Sequence, residues 1–239
     1  SFRKPMDKAR DRLLHRILPA AGSVCDLACG GGDTALEMAR SGKKVYAVDL
    51  SAGMCKLARE KASAAGLPVR VIRGDMRTFR LPEPVDLITC EYDALNHVPR
   101  KEDLCKVAEA VARALKPGGH FYFDVNNRKG FRQYWCTTFW IEKPGLALVM
   151  RNGNDHARDR AWCDVEWFIR EGALWRRRKE RVEEVCWSGE EMRRALHGAG
   201  FDKIRTWDGG QYFKMQRGCR TIYLARKRAG RLPGRHGGA

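Results

Sequence analysis

The segment from Val24 to Ser51 constrains the fold more than any other. Val24-Cys25-Asp26-Leu27-Ala28 is a short run, apolar but for one acid, closed by Cys29-Gly30-Gly31-Gly32. A brief apolar run that stops at glycines reads as a strand buried in a parallel sheet. The glycines adopt backbone angles closed to other residues and let a ligand approach the main chain. Thr34 to Arg40 sets Leu36, Met38 and Ala39 among polar residues, which predicts a helix. Val45 to Val48 predicts a second strand, with Asp49 at its carboxyl end. Open α/β sheets bind ligands at such ends. A carboxylate there accepts two hydrogen bonds from the vicinal hydroxyls of a ribose.

The pattern continues down the chain. Ser51 caps a helix whose stripe is Met54, Leu57, Ala58 and Ala62, and Gly66-Leu67-Pro68 ends it. Val69 to Ile72 is a third strand, stopping at Gly74-Asp75-Met76. Val85 to Cys90 is a fourth, running into Glu91-Tyr92-Asp93-Ala94-Leu95-Asn96-His97-Val98. Lys101 to Leu115 is helical, and Lys116-Pro117-Gly118-Gly119 turns into a fifth strand, Phe121 to Asn126. Upstream, Asp7 to Leu18 spaces Leu13, Leu14, Ile17 and Leu18 as a helix leading into the first strand.

In this order the motifs resemble those of class I S-adenosylmethionine-dependent methyltransferases. That family carries an acid, then a small residue-x-Gly-x-Gly; here Asp26 precedes Ala28-x-Gly30-x-Gly32. A dinucleotide fingerprint requires a third glycine, and Asp33-Thr34-Ala35 follows Gly32 instead. Gly74-Asp75 before an apolar residue resembles the family's adenine site, with Asp75 accepting from the exocyclic amine and Met76 covering a ring face. Capping of a short helical turn is the alternative role of Asp75. The helix, Lys-Pro-Gly-Gly turn and apolar strand resemble the family's fifth-strand motif. The resemblance implies a Rossmann-like α/β fold: a seven-stranded, mostly parallel, doubly wound sheet with an inserted small antiparallel β subdomain. It implies S-adenosyl-L-methionine as cofactor and S-adenosyl-L-homocysteine as product. The cofactor-binding residues it implies are Asp26, Ala28, Gly30, Gly32, Asp49, Leu50, Met54, Gly74, Asp75, Met76, Cys90 and Glu91. Tyr92, Asn96 and His97 would line the methyl-transfer site, His97 and Tyr92 being the catalytic candidates, with histidine the side-chain type suited to a general base. A helix-capping His97 is the alternative. Arg10, Arg12 and His15 are candidates for the cofactor carboxylate, against a plain solvated basic face.

The expected division is a core of residues 1–126 and 188–228, an inserted β lid over 127–187, and a disordered basic tail over 229–239. Two extended runs, Trp162 to Ile169 and Leu174 to Trp187, meet at Glu171-Gly172 as a hairpin. The aromatic residues Phe131, Tyr134, Trp135, Phe139 and Trp140 precede them. Such a lid suits an anionic or planar acceptor; a charge-blunted edge sheet or a dimer surface is the alternative. Ser188 and Glu191 are spaced as a capping box. Ile204–Trp207 and Thr221–Ala225 are expected as the last two strands, with Gln211 to Gly218 looping between them toward the substrate.

The 239 residues are 44% hydrophobic and carry a formal net charge of +17. The charge suits acidic partners, but no zinc-finger, RNA-recognition or helix-turn-helix pattern accompanies it. Nine scattered cysteines with no Cys-x-x-Cys predict reduced thiols in a cytoplasmic protein, with neither disulfides nor metal. No apolar run approaches a membrane span. The expected activity is methyl transfer to oxygen or nitrogen of a small molecule by a monomer or homodimer. The alternatives are an RNA or nucleotide methyltransferase and a cofactor-binding module without catalysis. No Asn/Asp-Pro-Pro-Tyr follows the fourth strand, which argues against exocyclic base amines as acceptors.

Overall fold

The computed structural model describes residues 3–213 and 217–229. The core elements are α1 (Arg3–Leu13), β1 (Ser23–Leu27), α2 (Asp33–Arg40), β2 (Lys44–Asp49), α3 (Ala52–Ala64), β3 (Val69–Arg73), β4 (Val85–Cys90), α4 (Lys101–Ala114) and β5 (Leu115–Asn126). An inserted unit follows: α5 (Arg128–Tyr134), β6 (Thr138–Lys143), β7 (Leu146–Asp155), β8 (Arg160–Glu171) and β9 (Leu174–Val185). The chain then returns through α6 (Gly189–Gly198), β10 (Phe201–Asp208), α7 (Gly210–Phe213) and β11 (Arg220–Lys227).

The seven-stranded sheet has the order β10-β11-β5-β4-β1-β2-β3, and only β11 runs against the rest. The order reverses direction beside β1, so the carboxyl ends of β1 and β4 flank the crevice where such sheets bind ligands. The central strands are long apolar runs because helices cover both faces: β1 is buried throughout, as is β5 from Phe121 to Asn126. Phe121 meets Phe123 at 4.5 Å, and Phe123 stacks on Tyr223 of β11 at 4.8 Å.

The inserted sheet, β6-β7-β8-β9, is a meander of antiparallel hairpins. Its base packs through Phe131 of α5 against Ala161 and Cys186. Its far end projects, and every residue of β9 from Leu174 to Arg181 is exposed. Pairing Val165 with Met150 and Glu180, and Glu166 with Val149 and Lys179, puts Asp164 and Glu166 on one face with Arg151, Arg177, Lys179 and Arg181. On that face Glu166 receives Arg151, Arg177 and Lys179, while Asp164 pairs with Arg181.

Several boundaries differ from expectation. α1 ends at Leu13, and Leu14 to Ala20 forms turns, because Leu14, Ile17 and Leu18 pack on the sheet without needing a continuous helix. β5 starts at Leu115, before the Pro-Gly-Gly turn, through a shift in its pairing with β4 between Val85 and Leu87. The expected loop at Gln211–Gly218 instead starts within α7. Residues 214–216, and the tail from 230 to 239, lie outside the described residues.

Candidate active site

The glycine turn is shaped by contacts rather than by composition alone. Gly32 has φ 78°, and a Cβ there would meet the Ala58 Cβ at 2.9 Å, so α3 can pack on the turn only against glycine. A Cβ on Gly30 would meet nothing within 4 Å; its main chain borders open space. Asp49 is aimed by two backbone donors: the Gly30 amide donates to Oδ2 and the Ser51 amide to Oδ1, each at 2.8 Å. A carboxylate with one donor on each oxygen keeps lone pairs for a ligand.

A cavity of about 300 Å³ opens beside this turn. Leu27, Ala28, Val48, Asp49 and Leu50 line one side, Gly74, Asp75, Met76 and Arg77 another, and Ala94, His97, Val98 and Pro99 close it. Of the expected cofactor residues, Ala28, Asp49, Leu50, Gly74, Asp75 and Met76 are thus on the wall. Gly30 and Gly32 shape the turn behind it. Met54 is half-exposed on α3 and lies outside the lining. Cys90 is packed in the core with no exposed surface, and Asp26 and Glu91 are buried behind the wall.

A methyltransferase-domain family model matches residues 24–119. The crystal structure of an S-adenosylmethionine-dependent methyltransferase from Clostridium acetobutylicum superposes with a TM-score of 0.79 at 26% identity, covering 95% of this chain and 92% of that one. Residues 24–119 form a methyltransferase domain, and 95% of the chain shares the fold of an S-adenosylmethionine-dependent methyltransferase. The ubiquinone biosynthesis O-methyltransferase of Serratia proteamaculans is 32% identical over 65% of this chain, which spans 65% of that protein. The sugar N-methyltransferase KedS8 of Streptoalloteichus shares the fold with a TM-score of 0.77 at 21% identity, covering 95% of this chain and 88% of that one.

The residues of this methyltransferase fit S-adenosylmethionine. Ala28, at the family's first glycine position, keeps the left-handed angle glycine favours, with φ 58°. Asp26 Oδ2 and Glu91 Oε1 are buried without hydrogen-bond partners, as suits a site for a cation. At Asp75, on the cavity wall, Arg77 Nε donates to both carboxylate oxygens at 3.0 Å, and the Arg77 amide donates to Oδ1. This holds its carboxyl below the usual range, Arg77 being the main cause. Arg10 is buried rather than free for a carboxylate, pairing with Glu91 and Glu37 at 3.0 Å each. Arg12 and His15 are exposed.

Beyond His97 lies a polar cluster that sequence reasoning missed. Tyr92 and Asp93 take φ 63° and 52°, and their amides donate to the two oxygens of Asp124. Arg220 reaches Asp93 at 2.6 Å and Asp124 at 2.9 Å. Asn126 Nδ2 donates to Asp93 Oδ2 at 2.6 Å. Glu184 of β9 lies 4.0 Å from His97 Nε2, and burial, then the Asp93 charge, raises its carboxyl to about 9. Burial likewise lifts Asp124 to about 6, against the pull of Arg220. Asn96 does not line the site: it is fully buried, and its side chain bridges Asn126 and the Val185 carbonyl. With the Trp187 indole on the Leu95 carbonyl, it fastens the inserted sheet to the core. His97 is half-exposed on the cavity wall, Nδ1 lying 3.2 Å from the Glu183 carbonyl oxygen. Tyr92 is also exposed but lies off the wall. One signal was legible: Asp124 is an acid inside an otherwise apolar strand.

Proposed function

We propose that this enzyme methylates nitrogen or oxygen of a small-molecule acceptor, with His97 as the proton acceptor. The observation that carries this is one continuous cavity, with Asp49 and Gly74 on its cofactor side and His97 closing it. The fold shared with a sugar N-methyltransferase over 95% of the chain, inserted sheet included, supports a small acceptor, as does similarity to an O-methyltransferase of ubiquinone biosynthesis.

Bound S-adenosylmethionine supplies a methyl group already activated on a sulfonium. The protein's task is orientation and water exclusion, which contributes roughly 7–11 kcal/mol in favourable cases. A carbonyl can only accept, so His97 donates from Nδ1 to Glu183 and keeps its lone pair at Nε2. With the methyl group supplied by the bound cofactor, His97 Nε2 would take up the proton the acceptor gives off. Tyr92, on the Asp124-held turn but off the cavity wall, is not given a part in this step. The free state of all nine cysteines supports a cytoplasmic site of action. Among the described residues no helix is long and apolar enough to cross a membrane.

The test has two stages. Calorimetric titration with S-adenosylhomocysteine should give micromolar binding, weakened by about 1–3 kcal/mol in Asp49→Ala, where a charged contact to the ribose is lost. Incubation with deuteromethyl-labelled cofactor and matched amine and alcohol acceptors should then place label on nitrogen or oxygen. Unchanged affinity in Asp49→Ala removes the ribose assignment. Label transferred only to RNA removes the small-molecule acceptor.

A further inference from the structure

At the carboxyl ends of β1 and β4, positive charge is scarce. Arg10 is 1% exposed and pairs with Asp7 at 3.1 Å, Asp11 at 3.6 Å, Glu37 at 3.0 Å and Glu91 at 3.0 Å. One guanidinium thus serves four carboxyl groups, and Asp26 also leans on its field. Asp26 receives the Thr89 hydroxyl on Oδ1 at 3.3 Å. Glu91 receives Arg10 and, at 3.5 Å, the Thr34 hydroxyl on Oε2. The other oxygen of each, Asp26 Oδ2 and Glu91 Oε1, is buried with no partner. Asp49 from the end of β2 and Asp124 from β5 add further negative charge, and the Tyr122 hydroxyl faces the same region.

A buried carboxylate without a partner is costly, and the usual remedy is to keep its proton. We infer that Asp26 and Glu91 exchange protons for the ammonium group of the cofactor's methionine portion, so that cofactor loading releases protons. The inference rests on the methyltransferase function proposed above and concerns the same site.

Burial, opposed by Arg10, lifts Asp26 to about 7 and Glu91 to about 8. Near neutral pH, while the site is free, Glu91 therefore largely holds its proton and Asp26 holds its proton about half of the time. An incoming cation stabilises their charged forms and drives those protons into solvent. The sign follows from linkage. Binding that releases protons strengthens as pH rises, roughly tenfold per unit for each proton released, and levels off once both groups are ionised. Loss of the ligand's own ammonium proton has the opposite sign, so the two effects separate.

The experiment is calorimetric titration of the full chain with S-adenosylhomocysteine between pH 6 and 8.5, repeated at pH 7 in phosphate and in Tris. These buffers differ in ionisation enthalpy, so the difference in heat counts protons. About one proton released at pH 7 is expected, with affinity rising on the order of a hundredfold between pH 6 and 8. Glu91→Gln should still bind and should flatten the pH dependence; Asp26→Asn should remove part of what remains. Equal heats in the two buffers, with affinity independent of pH, overturn the proton exchange and leave the cofactor assignment standing. No binding by folded wild-type protein under any of these conditions overturns the cofactor assignment itself.

Discussion

Arg10 and Arg220 are both buried guanidinium groups set among carboxylates at the carboxyl edge of the same sheet, and they serve different ends. Around Arg220 the accounts close: Asp93, Asp124 and Asn126 all have partners, and none of their atoms is left buried and unpaired. Around Arg10 two carboxyl oxygens and the guanidinium's own Nε are left without hydrogen-bond partners. A saturated cluster can do little but hold elements together, here β4's exit, β5 and β11. An unsaturated one carries a standing cost that a ligand can relieve. The comparison separates a structural cluster from a binding one without recourse to residue type, since both are arginine and acid.

The sharpest way to break this comparison is Arg220→Met. Asp124 and Asp93 would lose their counter-ion in place, and removing one partner of a buried pair costs about 3–5 kcal/mol. Urea unfolding should show that loss; a change below about 1 kcal/mol would mean the cluster is not structural. Asn96→Ala should cost about 2–3 kcal/mol, because buried groups of Asn126 and Val185 lose their partners. Hydrogen exchange at the end of β9 should rise with it.

Glu184→Gln sharpens the contrast through pH. The carboxyl of Glu184 is raised in the fold, to about 9, above its ordinary value near 4.5. Its favourable contribution is therefore complete below about pH 4.5 and is lost as pH rises toward 9. The amide variant has no such loss. Thermal midpoints should coincide in acid and diverge in the variant's favour with rising pH; parallel curves would show that Glu184 ionises freely. The smallest effect is expected at the projecting end of the inserted sheet. Arg176→Ala removes an exposed pair with Glu171 and should leave the melting temperature unchanged.

What was legible in the chain follows the same division. The glycine turn, Asp49 and the Gly74-Asp75 stop could be read because their demands are local: a backbone angle, a strand end, a cap. The capping box at Ser188 is formed as spaced, with Ser188 and Glu191 bonding reciprocally. Glu184 and Arg220 could not be read. In Val182-Glu183-Glu184-Val185 a charged residue in an alternating strand looks like a solvent face, yet Glu184 is 3% exposed. Asp75 was placed by motif, but its nearest cation, two residues away, engages it.

The sequence by itself determined the order of strands and helices, the turn that must be glycine, and the acid that ends β2, because backbone sterics and hydrophobic periodicity act over a few residues. Tertiary structure alone decided which acids lose water and which guanidinium they share. Asp93 and Arg220 are 127 positions apart, and Arg10 and Glu91 are 81 apart. The cost of burying a charge depends on what surrounds it after the chain has closed, and no neighbour in sequence carries that information.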